Sequence, residues 1–307
     1  MDRRKFITRS AQASAALSIL GLNLACAKES KKLFFKISLA QWSLHKAIQS
    51  KEITHLDFAK IARNFNCEGL EYVNSFFFNK AKDISFLNEM NTRAKGEGLK
   101  NVLIMIDREG SLAAPETKAR LKTIENHYKW VEAAHHLGCH AIRVNLAGGK
   151  DKDEATKSAI DSLEKLSEFA KGSNVDVLVE NHGGFSSDGS WMQGVFSKIK
   201  SKNCGTLPDF GNFCIEKDKT RNCIIDYDRY KGMQELLPFA KAISAKSRRF
   251  DSNGEELETD FLKVMTMVKN IGYTGFVGIE FEGNEISEYK GIELTRDLLI
   301  KVGNQLL

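Results

Sequence analysis

Eight short runs of β-forming residues recur at nearly regular intervals along this chain of 307 residues. Successive runs begin about 29 to 40 residues apart, near Phe35, Gly69, Asn101, Ala141, Asp176, Gly205, Ala242 and Phe276. Most of them are apolar at both alternating positions, which is typical of strands that are covered on both faces of a sheet. The interval leaves room for one helix after each strand.

The segments between these runs carry the periodicity of helices. Apolar residues fall at i, i+3, i+4 and i+7 in two examples: Phe58, Ile61, Ala62 and Phe65, and Phe261, Val264, Met265 and Val268. The second helix is predicted to begin at the N-cap Thr259 and to end at Gly272. Eight strand-helix units in about 275 residues predict an α/β fold, the (β/α)₈ or TIM barrel, as a single domain over residues 31–307. A doubly wound sheet is the alternative, but no GxGxxG sequence follows the first run.

The first 30 residues have a different character. Arg3 and Arg4 precede a mostly apolar run over residues 11–25, which predicts a twin-arginine signal peptide over residues 1–30 and export to the periplasm. The run is shorter than the ~20 apolar residues that span a bilayer. Cys26 follows a segment that resembles a relaxed lipoprotein cleavage box, although Asn23 stands where an aliphatic residue is usual. A lipid on Cys26 therefore stays an open alternative, and it would be the one attachment to a membrane.

Charge and cysteine content limit the partners. The formal net charge is +5, but residues 1–27 hold four basic groups against one acidic group, so the remainder carries only +2. This balance predicts no nucleic-acid partner. Five cysteines follow Cys26 and no two are spaced as CxxC, so we expect buried thiols rather than a disulfide framework, with Cys67 and Cys139 beside strand starts.

Three acidic residues end predicted strands: Glu180, Asp209 and Glu280. Side chains alternate along a strand, so Glu180 shares a face with Leu178 and His182, and Asp209 shares one with Leu207. In a barrel the active site lies at the carboxyl-terminal ends of the strands, where these carboxylates would converge. Because converging carboxylates repel one another in a partly dry site, they predict a divalent cation with oxygen ligands. Taken singly, each of them could instead be a solvated loop residue or a helix N-cap.

The strings around Glu180, Asp209 and Glu280, together with the Ala-Lys-Ser string at Lys246, resemble the xylose isomerase-like TIM-barrel superfamily, which includes sugar phosphate isomerase/epimerases and ketose 3-epimerases. The resemblance covers the whole mature chain. It implies that Glu180, Asp209 and Glu280 bind one divalent metal ion, of the Mn, Mg, Zn or Co type, and that Glu180 and Glu280 act as acid and base.

The histidine that this family carries on the seventh strand is absent, and Ser244 stands in its place. Three interpretations follow from the residues. The metal could be bound by three carboxylates and water, His182 could supply the missing nitrogen, or the ammonium of Lys246 could reduce the need for a metal. Asn212 stands where the epimerases carry a substrate-binding histidine, and it can hydrogen bond a hydroxyl but cannot shuttle protons.

Polar and aromatic residues near the strand ends suit a polyhydroxylated ligand, because its hydroxyls need hydrogen-bond partners when water is removed. The predicted substrate-binding residues are Lys246, Asn212, Arg143, Trp191 and Gln41. Arg143 could instead form a structural ion pair with Glu71. The adjacent Arg248 and Arg249 follow the seventh strand, near where barrels often hold phosphate. Because phosphosugars are scarce outside the cytoplasm, the expected ligand is nevertheless an unphosphorylated sugar or glycoside.

The sequence thus predicts a divalent-metal-dependent sugar isomerase or epimerase that removes a proton beside a carbonyl through an enediolate. The same metal site could serve a lyase acting on a keto-glycoside. A non-catalytic sugar-binding lipoprotein is a further alternative, and the oligomeric state, including a homo-oligomer, is left open.

Overall fold

A computed structural model describes residues 32–307; the predicted signal peptide and Cys26 lie outside this range. The strands are β1 Lys36–Ala40, β2 Gly69–Val73, β3 Lys100–Met105, β4 Ala141–Val144, β5 Asp176–Glu180, β6 Cys204–Leu207, β7 Cys214–Lys217, β8 Cys223–Asp226, β9 Ile243–Ser247 and β10 Phe276–Phe281. Eight of these form one parallel sheet in the order β6-β5-β4-β3-β2-β1-β10-β9. Their first residues lie within one position of the predicted strand starts.

The two outer strands of this sheet meet and close it into a ring. Parallel bridges join Thr206 to Ala240 and Asp209 to Ser244. The amide of Phe210 donates to the carbonyl of Ser244 at 3.1 Å, and the amide of Ser244 donates to the carbonyl of Pro208 at 3.0 Å. The predicted TIM barrel is therefore confirmed.

Helices follow the strands and cover the outside of the ring. They are α1 His45–Gln49, α2 Phe58–Asn64, α3 Ile84–Gly96, α4 Thr117–Leu137, α5 Lys152–Lys171, α6 Gly189–Phe196, α7 Arg229–Leu236, α8 Phe261–Asn270 and α9 Glu288–Gln305. Short 3₁₀ segments cover Gln41–Leu44, His55–Asp57, Asn74–Lys80, Gly184–Ser187 and Leu237–Phe239. Within residues 32–307, no helix combines the length and apolar composition that crossing a bilayer requires.

Helix α8 forms where its periodicity predicts, and its four apolar residues are buried. Its N-cap is Asp260 rather than the predicted Thr259, because the carboxylate of Asp260 accepts from the amide of Lys263 at 2.9 Å. Gly272 has a φ of 72° just after the helix, in the left-handed region that glycine adopts without strain.

Two apolar cores follow from the alternation of side chains in the strands. The larger lies between strands and helices, and a smaller one fills the inside of the ring with residues that include Met105, Leu178 and Leu207. Leu178 and Leu207 point inward, so alternation also directs Glu180 and Asp209 toward the barrel axis. The barrel thereby brings chain-distant acidic residues to one end.

Strands β7 and β8 form an antiparallel hairpin after β6. A disulfide joins Cys214, the first residue of β7, to Cys223, the first residue of β8, with Cα atoms 5.7 Å apart. The expectation that these two cysteines are separate buried thiols is wrong: Cys214 is opposite Asp226 and Cys223 is opposite Lys217, so the bond crosses the hairpin diagonally. Cys67 and Cys139 are buried as expected.

Candidate active site

Three carboxylates meet at the carboxyl-terminal end of the barrel. Glu180 ends β5, Asp209 follows β6, and Glu280 lies in β10. One carboxylate oxygen of each lies within 4.8 Å of those of the other two. Their exposed fractions are 1%, 0% and 4%, so the cluster is almost sealed from solvent.

Two cations are buried with these carboxylates. The ammonium of Lys246 in β9 lies 2.7 Å from a Glu280 oxygen and 4.0 Å from an Asp209 oxygen. The guanidinium of Arg143 in β4 lies 2.8 Å from Glu180. Burial lowers the pKa of Lys246, but the carboxylates of Glu280 and Asp209 outweigh it and hold the pKa well above its ordinary value. Both cations therefore remain charged and partly compensate the cluster.

The compensation is incomplete. Burial, opposed by Arg143 and reinforced by Glu280, raises the pKa of Glu180 to about 7. Burial, opposed by Lys246 and reinforced by Glu180, raises the pKa of Asp209 to about 7. Both carboxyls can therefore exchange a proton near neutral pH, as an acid or base in catalysis must.

Ser244 occupies the position of the histidine that the family resemblance leads one to expect. Its hydroxyl lies 2.7 Å from an oxygen of Asp209 and 3.1 Å from an oxygen of Glu280, and it can donate to either. Ser244 thus bridges two of the three carboxylates, at a point where a histidine would offer a nitrogen ligand instead.

Asn212 links the third carboxylate, Glu180, to Asp209. Its side-chain amide donates to Glu180 at 3.1 Å, while its backbone amide donates to Asp209 at 2.9 Å. The amide of Gly211 donates to the same Asp209 oxygen at 2.9 Å. Asn212 also lines the cavity above the cluster, as expected of a residue that meets a ligand.

The donor set fits a divalent cation. In the described part of the chain, the group that could hold a metal consists of Glu180, Asp209 and Glu280, and hard cations prefer such carboxylate oxygens. The Oε2 atom of Glu180 is buried and contacts the guanidinium of Arg143 at 2.8 Å as an ion pair, without the geometry of a hydrogen bond. The ammonium of Lys246, 2.7 Å from a Glu280 oxygen, would compete with a metal ion for the carboxylate of Glu280. His182 lies outside this group, exposed in the cavity above, so its role as a ligand stays a prediction.

The cavity above the cluster has a volume of about 590 Å³, within the roughly 300–1,000 Å³ of ligand clefts. It is lined by His45, His182, Gly183, Ser187, Gly211, Asn212, Cys214, Lys217, Arg221, Cys223, Arg248, Glu282 and Asn284. Glu282 joins the cavity to the cluster, because it accepts from Trp42 at 2.9 Å and from Lys246 at 3.2 Å. Burial raises the pKa of Glu282, but Lys246, Trp42 and Arg248 lower it to about 2.

Two predicted substrate-binding residues lie elsewhere. Gln41 begins a 3₁₀ segment, which ends the alternation of β1, and its buried amide contacts His55 at 2.9 Å and the amide of Val73 at 3.2 Å. Trp191 lies in α6, is 4% exposed, and donates to Thr156 at 2.8 Å. Both side chains are buried and neither lines the cavity, so a role for them in substrate binding stays a prediction.

The alternative ion pair between Arg143 and Glu71 does not form in the described residues, and sequence analysis missed Asp107 as a partner of Arg143. Arg143 pairs with Asp107 at 2.9 Å as well as with Glu180, rather than with Glu71. Asp107 stands two residues after the end of β3, as Asp209 stands two residues after the end of β6, and this shared position was a usable signal. Glu71 instead accepts from Ser38 inside the ring.

A closed ring of parallel strands with a buried carboxylate cluster under a cavity at its carboxyl-terminal end defines a (β/α)₈ barrel with a ligand site at the usual end. The chain belongs to the xylose isomerase-like TIM barrel family, whose model matches residues 59–300. No curated protein matches the chain.

Solved structures share this fold at low sequence identity. D-psicose 3-epimerase from Clostridium cellulolyticum H10, solved with D-tagatose, is 14% identical, with a TM-score of 0.67 over 87% of this chain and 99% of the other. 3-keto-D-glucoside 4-epimerase from E. coli is 14% identical, with a TM-score of 0.62 over 89% and 100%. A xylose isomerase-like TIM barrel protein from Mycobacterium smegmatis, in complex with magnesium, is 14% identical, with a TM-score of 0.62 over 88% and 97%.

Proposed function

We propose that this protein is a divalent-metal-dependent sugar isomerase or epimerase that removes a proton beside a carbonyl. The observation that carries the proposal is the meeting of Glu180, Asp209 and Glu280 within 4.8 Å beneath a polar cavity. The names of the similar structures, two sugar epimerases and a magnesium complex, agree with it.

Glu180, Asp209 and Glu280 would hold the metal. When bound, such an ion supplies polarisation of the sugar carbonyl and of the neighbouring hydroxyl. Asn212 and His182, on the cavity wall, would orient hydroxyl groups of the sugar by hydrogen bonding.

Glu180 and Glu280 would move the proton. One carboxylate takes the proton from the carbon beside the carbonyl, and the electron pair of the broken C–H bond forms the carbon-carbon double bond of an enediolate. The other carboxyl returns a proton to the opposite face, which gives epimerisation, or to the neighbouring carbon, which gives isomerisation.

Metal analysis followed by a ketose panel in deuterated water tests the proposal. We expect about one equivalent of divalent metal per chain and deuterium at the carbon beside the carbonyl. Glu180→Gln and Glu280→Gln should abolish exchange, while Glu89→Gln, in an exposed helical ion pair, should retain it. The proposal would be overturned if the wild type contained no bound metal and catalysed no deuterium exchange. Loss of a β-substituent from a keto-glycoside would identify the lyase, and sugar binding that survives Glu180→Gln without any turnover would favour the non-catalytic protein.

Export to the periplasm is part of the proposal. Disulfides persist in oxidising compartments and are rare in the cytosol, so the Cys214–Cys223 bond agrees with an exported protein.

A further inference from the structure

The residues that line the cavity carry a net positive charge. The proton transfer proposed for the carboxylate cluster beneath the cavity does not require this charge. Lys217 and Arg221 reach it from the β7–β8 hairpin, and Arg248 reaches it from the loop after β9. Glu282 is the one acidic residue among those that line it. Since residues 28–307 carry a net charge of only +2, this excess is local to the cavity.

The two hairpin cations have their charges available. Both side chains are exposed, and neither forms an ion pair or a side-chain hydrogen bond with another residue in the range 32–307. Glu282, by contrast, is already engaged by Trp42, Lys246 and, at 3.8 Å, by Arg248. The hairpin therefore presents two cations without a matching anion, whereas Arg248 also contacts Glu258 at 3.3 Å.

The hairpin is held so that these cations stay over the cavity. The disulfide links its two strands diagonally, and at its base the amide of Tyr227 donates to the carbonyl of Phe213 at 2.9 Å. At its tip, the carboxylate of Asp218 accepts from the amides of Thr220 at 2.8 Å and Asn222 at 2.9 Å. Lys217 precedes this turn, and Arg221 lies within it.

The cationic wall is continuous with the carboxylate cluster. One oxygen of Glu282 lies 3.2 Å from Lys246 and 3.8 Å from Arg248. Gly211 lies between the two cations, because a Cβ there would come within 3.0 Å of Lys246 and 3.5 Å of Arg248. A ligand that reached the cluster at one end would extend past Arg248 toward the hairpin at the other.

We propose that the cavity selects carbohydrates that carry an anionic group, a carboxylate or a phosphate ester, at the end remote from the reacting carbonyl. The anion contacts Lys217, Arg221 and Arg248, and the guanidinium groups offer paired donors that match either anion. The orientation of the sugar rests on the proposed function of the cluster, whereas the anion preference can be measured by binding alone.

Calorimetric titration of the full mature chain with three ketoses tests this inference. D-fructose, D-fructuronate and D-fructose 6-phosphate differ only in a neutral group, a carboxylate or a phosphate at the sixth carbon. We expect at least one anionic ketose to bind about tenfold more tightly than D-fructose at low salt, with the gap narrowing at high salt. Which of the two binds better identifies the anion.

The matched variants are Lys217→Gln with Arg221→Gln, and Lys219→Gln as control. Lys219 is exposed on the same turn but does not line the cavity. The double variant should bring the affinities for anionic and neutral ketoses to within about threefold without weakening D-fructose binding, and the control should keep the full gap. Far-UV circular dichroism checks that all variants are folded.

The inference is overturned if the wild type binds all three ketoses with equal affinity or binds neither anionic ketose. It is also overturned if the double variant keeps the full difference in affinity between anionic and neutral ketoses. Failure of the proposed function has a different signature. If the protein prefers anionic ketoses but exchanges deuterium into none of them, only the isomerase proposal is overturned. If it exchanges deuterium into neutral ketoses and shows no preference for anionic ones, only this inference is overturned.

Discussion

Single side chains decide the electrostatics of the barrel interior. Lys246 and Arg143 compensate part of the charge of the cluster, and Ser244 and Asn212 bridge its members by hydrogen bonds. A buried cation and its carboxylates depend on one another, because removal of either leaves an uncompensated charge in a dry environment.

Glu71 shows how a buried carboxyl couples stability to pH. Burial raises its pKa from 4.5 to about 8. The folded chain keeps a proton that the unfolded chain loses above about pH 4.5, so this group makes the free energy of unfolding fall as pH rises from about 4.5 to about 8. Glu71→Gln removes this pH-dependent loss of stability. At pH 8 the free energy of unfolding of the variant should therefore exceed that of the wild type by a few kcal/mol, since one pKa unit corresponds to about 1.4 kcal/mol.

Urea unfolding at pH 5 and pH 8 measures this difference, with the surface variant Glu89→Gln as control. Parallel pH profiles for the wild type and Glu71→Gln would contradict the prediction.

At the scale of elements, the strands of the barrel can pack together only if some residues that point into the ring are small. Gly278 in β10 faces Glu71 in β2 across the ring, and a Cβ there would lie 2.5 Å from an oxygen of Glu71. This oxygen belongs to a fully buried side chain, held by Ser38, that has little room to move.

Gly278→Ala should therefore destabilise the barrel by about 1–3 kcal/mol through overpacking. Gly194→Ala is the matched control, because Gly194 lies in helix α6 with no atom near its added Cβ, and it should be neutral or slightly stabilising. Thermal unfolding compares the two. Equal melting temperatures for both variants would show that the inner layer of the barrel has spare space.

The β7–β8 hairpin depends on its covalent closure. Non-reducing peptide mapping should recover Cys214 and Cys223 in one linked peptide pair, with Cys67 and Cys139 as thiols. Cys214→Ser with Cys223→Ser should cost about 2–3 kcal/mol by the loop-entropy relation, and should reduce the preference for anionic ketoses. Cys139→Ser leaves the hairpin closed and is the control for that preference. A double variant with unchanged stability and unchanged preference would contradict this role.

At the scale of the whole molecule, a metal at the cluster would tie β5, β6 and β10 together, so binding and unfolding should be linked. A ligand that binds only the folded chain adds about 2.7 kcal/mol at one hundred times its dissociation constant. We expect removal of metal by EDTA to lower the melting temperature, and re-addition of Mn²⁺ or Mg²⁺ to restore it.

The Asp209→Asn variant should show no metal-dependent change in melting temperature. The Lys246→Met variant should show a larger change, because the ammonium that competes with the metal is removed. A melting temperature that is indifferent to both EDTA and added metal would leave the ion-pair network as the sole compensation of the cluster.

Export also concerns the whole chain. Changing Arg3 and Arg4 to Lys should leave unprocessed precursor in the cytoplasm, because the twin-arginine pathway reads that pair. Radiolabelled palmitate tests Cys26, and Cys26→Ser is its control. Normal processing of the double-lysine variant would argue against this route.

Much of the site was predictable because it depends on local pattern. The inward direction of Glu180 follows from alternation with Leu178 along β5, and its height in the barrel follows from its place at the end of a strand. Gln41 could not be placed in this way, because the chain turns into a 3₁₀ segment at that residue and alternation no longer applies. The burial of Trp191 could not be predicted either, because it depends on how helix α6 packs against the rest of the barrel.

The sequence by itself determined the eight strand-helix units and the acidic residues at the strand ends, since side-chain periodicities of 2 and 3.6 are local properties of the backbone. Only the tertiary structure decided that Lys246 is directed at Glu280, that Arg143 chooses Glu180 and Asp107, that Cys214 joins Cys223, and that the hairpin carries Lys217 and Arg221 over the cavity. The ion pairs among these join residues 34 to 37 positions apart, and the hairpin reaches the cavity only by folding back over the mouth of the barrel. Such contacts depend on how the closed ring positions its strands and loops, which no local pattern in the sequence records.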